Sequence, residues 1–173
     1  MTSPPDQRRQ PESVRLLILL WAGALGGELI HQILNMVMSF LDPSAFFAAA
    51  REVGENEALV SASVYASIIV VGLLSLLIVG VLALMIRLVH RRSKYAPMAR
   101  RMLLFFGFYF GFRTLLLFTA SPGASDVPVA MYLIDGSLQI LVGVAAVLAV
   151  IFGMRQDCLK WTGELADAEQ GGR

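Results

Sequence analysis

Charge is scarce in this chain. Asp, Glu, Lys and Arg make up only 16% of its 173 residues, against about 25% in ordinary soluble domains. So few charges cannot keep a chain that is 57% hydrophobic in water, and the surplus apolar surface predicts lipid as its solvent. Cysteine is nearly absent as well. Cys158 stands alone, which excludes an intramolecular disulfide and the redox chemistry of Cys-x-x-Cys pairs; it reads as an ordinary residue near a membrane interface. Of the two histidines, only His31 lies inside an apolar run, so bis-histidine haem ligation within a bilayer is excluded too. Glu28-x-x-His31 has no second Glu-x-x-His to complete a di-iron carboxylate site. A single-metal site from Glu28, His31 and Asp135 is the least supported reading of those residues. No serine sits in a nucleophile elbow and no glycine-rich phosphate loop is visible. These absences predict a protein that is not an enzyme and carries no cofactor.

What the chain does have is four long apolar runs, at about 16–41, 58–89, 102–120 and 128–153. A hydrocarbon core of about 30 Å takes roughly 20 helical residues to cross. The predicted fold class is therefore an all-α integral membrane protein, a four-helix transmembrane bundle occupying residues 14–156. Residues 1–13, polar and proline-rich, are predicted to form a disordered arm, and 157–173 a mostly frayed tail. In the first connection Asp42-Pro43 is a helix-start signal and Gly54 a stop, with Phe46 and Phe47 suited to an interface, so a short surface helix is expected there. Pro97 can open the third long helix.

Lysines and arginines set the predicted orientation. Arg8, Arg9 and Arg15 precede the first run, Arg87, Arg91, Arg92, Lys94, Arg100 and Arg101 crowd the second connection, and Arg155, Lys160 and Arg173 follow the last run. Only Arg51 falls in the first connection, beside the acidic Asp42, Glu52, Glu55 and Glu57. Both termini and the basic loop are thus expected on the cytoplasmic side. Topology explains these basic residues without nucleic acid, and the loop from Arg87 to Arg101 is also placed to touch anionic lipid head groups of the inner leaflet.

Against that background, a few buried polar residues stand out. Glu28, His31, Gln32, Asn35 and Ser39 recur at helical spacing and give the first run one polar stripe. Arg113 and Asp135 lie inside the third and fourth runs, with Gln139 one turn beyond Asp135. Counted from the basic flanks, Glu28 is 13 residues past Arg15 and Arg113 is 12 past Arg101, which sets them at similar depth. On the same count Gln139 is level with His31 and Asp135 one turn farther out. Each uncompensated charge there would cost about 2.5–3.5 kcal/mol. Arg113 can neutralise one acid, Glu28 or Asp135; the other must be protonated, be paired with His31 or bind a cation.

Small residues provide close-packing sites between membrane helices: Gly72 and Gly80 in the second run, the Gly107-x-x-x-Gly111 pair in the third, and Gly136 and Gly143 in the fourth. The Gly107/Gly111 face suits either a second copy of the chain or a neighbouring helix of the same one. The aromatics from Phe105 to Phe112 read as lipid-facing bulk or core.

The string WAGALGGELIHQIL, with glycines just ahead of a membrane-embedded glutamate, resembles the first helix of small multidrug resistance transporters. That resemblance covers about a dozen residues and implies that Glu28 alternately binds protons and cationic substrates. The long first connection, the charge asymmetry and the buried Arg113 and Asp135 depart from that family. The overall format is similar to small four-span bacterial membrane proteins of unassigned activity. Twelve arginines against two lysines, with abundant alanine and glycine, resemble a high-GC bacterial proteome and imply a plasma-membrane address. Two functions are expected from these features. The first is a non-enzymatic accessory or assembly subunit of a membrane complex, with the lipid bilayer and other membrane proteins, or further copies of itself, as partners. The alternative is an oligomeric proton-coupled carrier or ion pathway using Glu28, His31, Arg113 and Asp135.

Overall fold

The computed structural model describes residues 10–51, 56–119 and 127–165. Within them all regular structure is helical: α1 (Glu12–Leu41), α2 (Ser44–Arg51), α3 (Glu57–His90), α4 (Ala96–Leu117), α5 (Val129–Gly153) and α6 (Gln156–Thr162). Arg8, Arg9, Glu52, Gly54, Glu55 and Arg173 lie outside the described residues.

Three helices, α1, α3 and α5, are long and apolar enough to cross a membrane. The fourth long helix differs, because any 18-residue stretch of α4 contains Arg100, Arg101 and Arg113. It begins inside the basic segment, and its purely apolar part is correspondingly short.

Local chemistry explains where the helices begin. The Asp42 carboxylate accepts the Ser44 N–H at 3.1 Å and so caps α2. Asn56 accepts the N–H groups of Ala58 and Leu59 and caps α3. Pro97 occupies the first turn of α4, where its missing N–H removes no helical bond. Ser13 sits one residue inside α1, whose N-cap is Pro11; the helix thus starts within the expected arm.

The four long helices form a ring in the order α1, α5, α4, α3, and α1 has its most extensive contact with α5. Trp21, fully buried, centres the core and meets Phe110 edge to face. Backbone approach depends on glycine at specific places. A Cβ on Gly107 would collide with Val150 and lie 3.2 Å from the Ala146 carbonyl, and one on Gly143 would run into Thr114. The Gly107/Gly111 face therefore packs within the chain, against α5. Gly72 sits beside Met36, Gly136 has ordinary clearance from Leu117, and Gly80 faces open space. Gly27 against Val142 and Gly153 against Leu104 are tight sites that the sequence pattern did not single out. α2 rests on α3 through Phe47, which meets Tyr65 edge to face while Phe40 stacks on the same ring.

The segment after α5 is not frayed over its described part. It folds back as α6 and closes the basic end of the bundle. Its own Cys158 is fully buried, and burial pushes the thiol pKa up against the opposing influence of the Ser13 hydroxyl and Arg100. Trp161 donates its indole N–H to the Val89 carbonyl at 3.0 Å. α3 ends with Arg92 in the left-handed region at φ 49°, the Arg92 N–H bonding Val89 O and the Ser93 N–H bonding Leu88 O. That closure usually takes glycine. Here the arginine donates from Nε to the Trp161 carbonyl at 3.2 Å and lies 4.6 Å from the centre of its ring, contacts that offset the backbone cost.

Glu164 completes this closure. It accepts Nε and Nη2 of Arg100 at 2.6 and 2.7 Å and two weaker bonds from Arg101, while Arg100 Nη1 reaches the Gly153 carbonyl at 2.9 Å. Arg100, grouped by sequence with the lipid-facing basic residues, is instead only 6% exposed. Burial opposes the charge on Glu164, but the hydrogen bonds and charges of Arg100 and then Arg101 outweigh it and hold the carboxyl below its ordinary value.

Two outcomes follow for stability. Gly107→Leu should lower the unfolding free energy in micelles by about 1–3 kcal/mol through overpacking, while Gly80→Leu changes it little; detergent denaturation followed by circular dichroism measures both. Because the Glu164 pKa is lowered by folding, its contribution is complete above the ordinary carboxylate range and disappears as pH falls through the lowered value. Hydrogen exchange at Trp161 and Thr162, corrected for intrinsic rates, should accelerate on acidification in the natural chain and lose that pH dependence in Glu164→Gln.

Candidate functional site

The polar groups of α1, α4 and α5 gather in the interior as two linked pairs. Glu28, 3% exposed, accepts Arg113 Nη1 at 2.9 Å on one oxygen and Nη2 at 2.6 Å on the other. This is the parallel fork geometry in which guanidinium and carboxylate match best. Gln32, one turn along α1, donates its amide to Glu28 at 2.8 Å. The guanidinium carbon of Arg113 lies 5.0 Å from the centre of the Phe110 ring, a cation–π contact at a side chain already 80% withdrawn from solvent. Its Nε makes no hydrogen bond among the described residues.

The second pair repeats the plan. Asp135 meets His31 Nδ1 at 2.5 Å and accepts the Gln139 amide at 2.8 Å on its other oxygen. Packing of Gly153 near Leu17 and of Gly27 against Val142 sets the register of α5 on α1, and the imidazole spans what separates His31 from Asp135. Thr114 joins the network from α4, donating to the Gln139 carbonyl at 3.1 Å. Its hydroxyl also lies 3.0 Å from the Phe110 carbonyl in its own helix.

Each acid thus has one cationic or ionisable partner from another helix and one amide from its own, four residues on. The arginine selects Glu28, and the histidine takes Asp135. Arg113 and Glu28 belong to helices opposite one another in the ring, so their pair crosses the centre of the bundle, whereas His31 and Asp135 join neighbours. Asn35 does not enter the cluster: it is exposed, and its carbonyl accepts the Ser39 hydroxyl. Among the described residues no three His, Cys, Asp or Glu side chains come together in a way that could hold a metal ion. The arrangement can hold charge and share a proton between imidazole and carboxylate, and it has no nucleophile adjacent to the His31–Asp135 pair among its described hydrogen bonds.

Sequence reasoning missed Thr114 as the connection between α4 and α5. Its position one residue after Arg113 was the available signal. Neither a protein-family model, a curated protein sequence nor a solved structure matches this chain.

Removing one member of a buried ion pair leaves the other uncompensated, at a cost of about 3–5 kcal/mol. Arg113→Leu alone should therefore destabilise the bundle strongly, and Glu28→Leu/Arg113→Leu together should cost less than the sum of the two single changes. Unfolding titrations of all three variants in one detergent measure the coupling; strict additivity would show that the pair does not act as a unit.

Proposed function

We propose that this chain is a four-span integral membrane protein of the bacterial plasma membrane, with both termini cytoplasmic, acting without catalysis as an accessory or assembly subunit of a larger membrane complex. The observation that carries the reading is the complete matching of the buried acids, each with its own partner helix and its own amide. Such an interior serves to specify how helices pack. The broad unpartnered apolar surface of α3, with only 11% of its most apolar stretch buried in the chain, favours contacts with lipid and neighbouring membrane proteins. Orientation rests on the positive charge collected at the end closed by α6, since cytoplasmic segments carry the excess of lysine and arginine. In this reading α4 spans the membrane with Arg113 neutralised by Glu28, and α2 lies on the outer interface.

A proton-coupled carrier is the second reading, favoured by one observation: an imidazole–carboxylate pair in the interior can take up or release a proton. It has less support because Glu28, the residue that the transporter resemblance would make the coupling group, is held by Arg113 on both oxygens.

Isolation at native abundance in a mild polymer disc, followed by mass and composition measurement, separates the two. A stoichiometric second protein is expected. A clean homo-oligomer that transports in a pH-dependent way, and loses that transport in Glu28→Gln, would overturn the subunit reading. Orientation is checked in a Cys158→Ser background, where Lys94→Cys should be shielded from an impermeant maleimide in intact cells and Ala49→Cys should react.

A further inference from the structure

An open apolar groove of about 510 Å³ runs between α4 and α5 on the outside of the bundle, lined by Phe108, Phe112 and Leu115 on one side and Val147, Ile151 and Met154 on the other. It exists because Gly111 removes the side chain that would otherwise fill the seam; a Cβ there would come 2.7 Å from Val147. Its lining offers essentially no hydrogen-bonding surface, so the groove suits a hydrocarbon chain and is unsuited to a polar solute.

One of its ends is basic. Toward the start of α4, Arg101 lies seven residues before Phe108, hence on the same helical face, and its side chain is 70% exposed. Beyond Met154, the last lining residue of α5, comes Arg155, exposed, with its guanidinium 5.0 Å from the centre of the Phe152 ring. The nearby carboxylates do not cancel this charge. Glu164 is shared between Arg100 and Arg101, and Asp157, in the first turn of α6, is outnumbered by Arg155, Arg101 and Lys160 in the same stretch of the fold. The result is a hydrocarbon-sized slot with two exposed arginines flanking one end, Arg101 on the groove face of α4 and Arg155 next in the chain to the lining residue Met154.

We infer that this groove is a binding site for one anionic phospholipid, its acyl chain lying along α4 and α5 and its phosphate at Arg101 and Arg155. The inference rests on the reading of the chain as membrane-spanning. It does not require the proposed orientation, because lipid retention is measured in detergent, where sidedness is absent, and sidedness is scored separately by maleimide labelling. A basic residue near an anionic lipid surface contributes about 1 kcal/mol, which converts to about a fivefold preference for each arginine.

The test is native mass spectrometry of the full chain in micelles containing equal phosphatidylglycerol and phosphatidylcholine of identical chain length. The natural chain should retain one phosphatidylglycerol, favoured over phosphatidylcholine by about fivefold or more. Filling the exposed groove with Ile151→Trp, or independently with Leu115→Trp, should abolish retention of both lipids while circular dichroism stays unchanged. Arg101→Gln with Arg155→Gln should keep a lipid but bring the preference to near unity. Equal retention of the two lipids by the natural chain overturns the assignment. So does lipid retention in both folded tryptophan variants, or a homodimer that those variants dissociate, which would make a second copy the occupant.

Discussion

The ion pair between Glu28 and Arg113 crosses the middle of the helix ring, and much else in the structure depends on that crossing. Adjacent helices can hold one another by apolar packing and small residues alone, but α1 and α4 stand opposite. A guanidinium extended from α4 to a carboxylate on α1 sets the width of the bundle at one level, since both members are anchored to rigid helices. Gln32 occupies a remaining lone pair of Glu28, and Phe110 lies against the guanidinium and also meets Trp21 edge to face. The charged layer and the apolar core are thus continuous through one aromatic ring. In a low-dielectric interior this continuity matters, because a partly satisfied polar group costs more than none at all.

Around that layer the helices are unequal. α1 and α5 form the most extensive contact and together contribute both acids, both amides and the histidine. α3 is the longest helix and the least buried of the three long apolar ones. This division separates a chemically specified half from a half whose surface is left for surrounding hydrocarbon or protein. At the basic end, α6 draws the starts of α1 and α4 and the ends of α3 and α5 together through Trp161, Arg92, Arg100 and Glu164.

The helical fold was legible from the apolar runs, and the expected limits fall within a few residues of α1, α3 and α5. The third run was harder, since α4 starts six residues earlier than the hydropathy suggested, carried by Pro97 into the basic segment. Membership of the polar cluster was legible for Glu28, His31, Gln32, Arg113, Asp135 and Gln139 because each interrupts an apolar pattern at helical spacing. The pairing was not. Residue counts from charged flanks give height along a helix, but the choice of partner depends on rotation about the axis and on which helices neighbour one another. The same limit explains Asn35, which shares the spacing of the stripe yet turns outward. α6 escaped detection because seven residues are too few for a periodic signal, and burial of Cys158 and Trp161 is visible only once the other helices surround them.

The largest interface joins the first long helix to the last, and this has a consequence for biosynthesis. A ribosome delivers α1 to the membrane carrying Glu28 and His31 well before it has made Arg113, and Asp135 comes later still. The first helix therefore enters its environment with two polar side chains whose partners have not been synthesised, and with Gly27 facing an empty site. Its early position must be held by the insertion machinery, by water at the interface, or by transient neighbours until α4 and then α5 arrive. Assembly of this chain is accordingly late and global, with the last long helix acting as the piece that closes the ring and the short one after it as the seal.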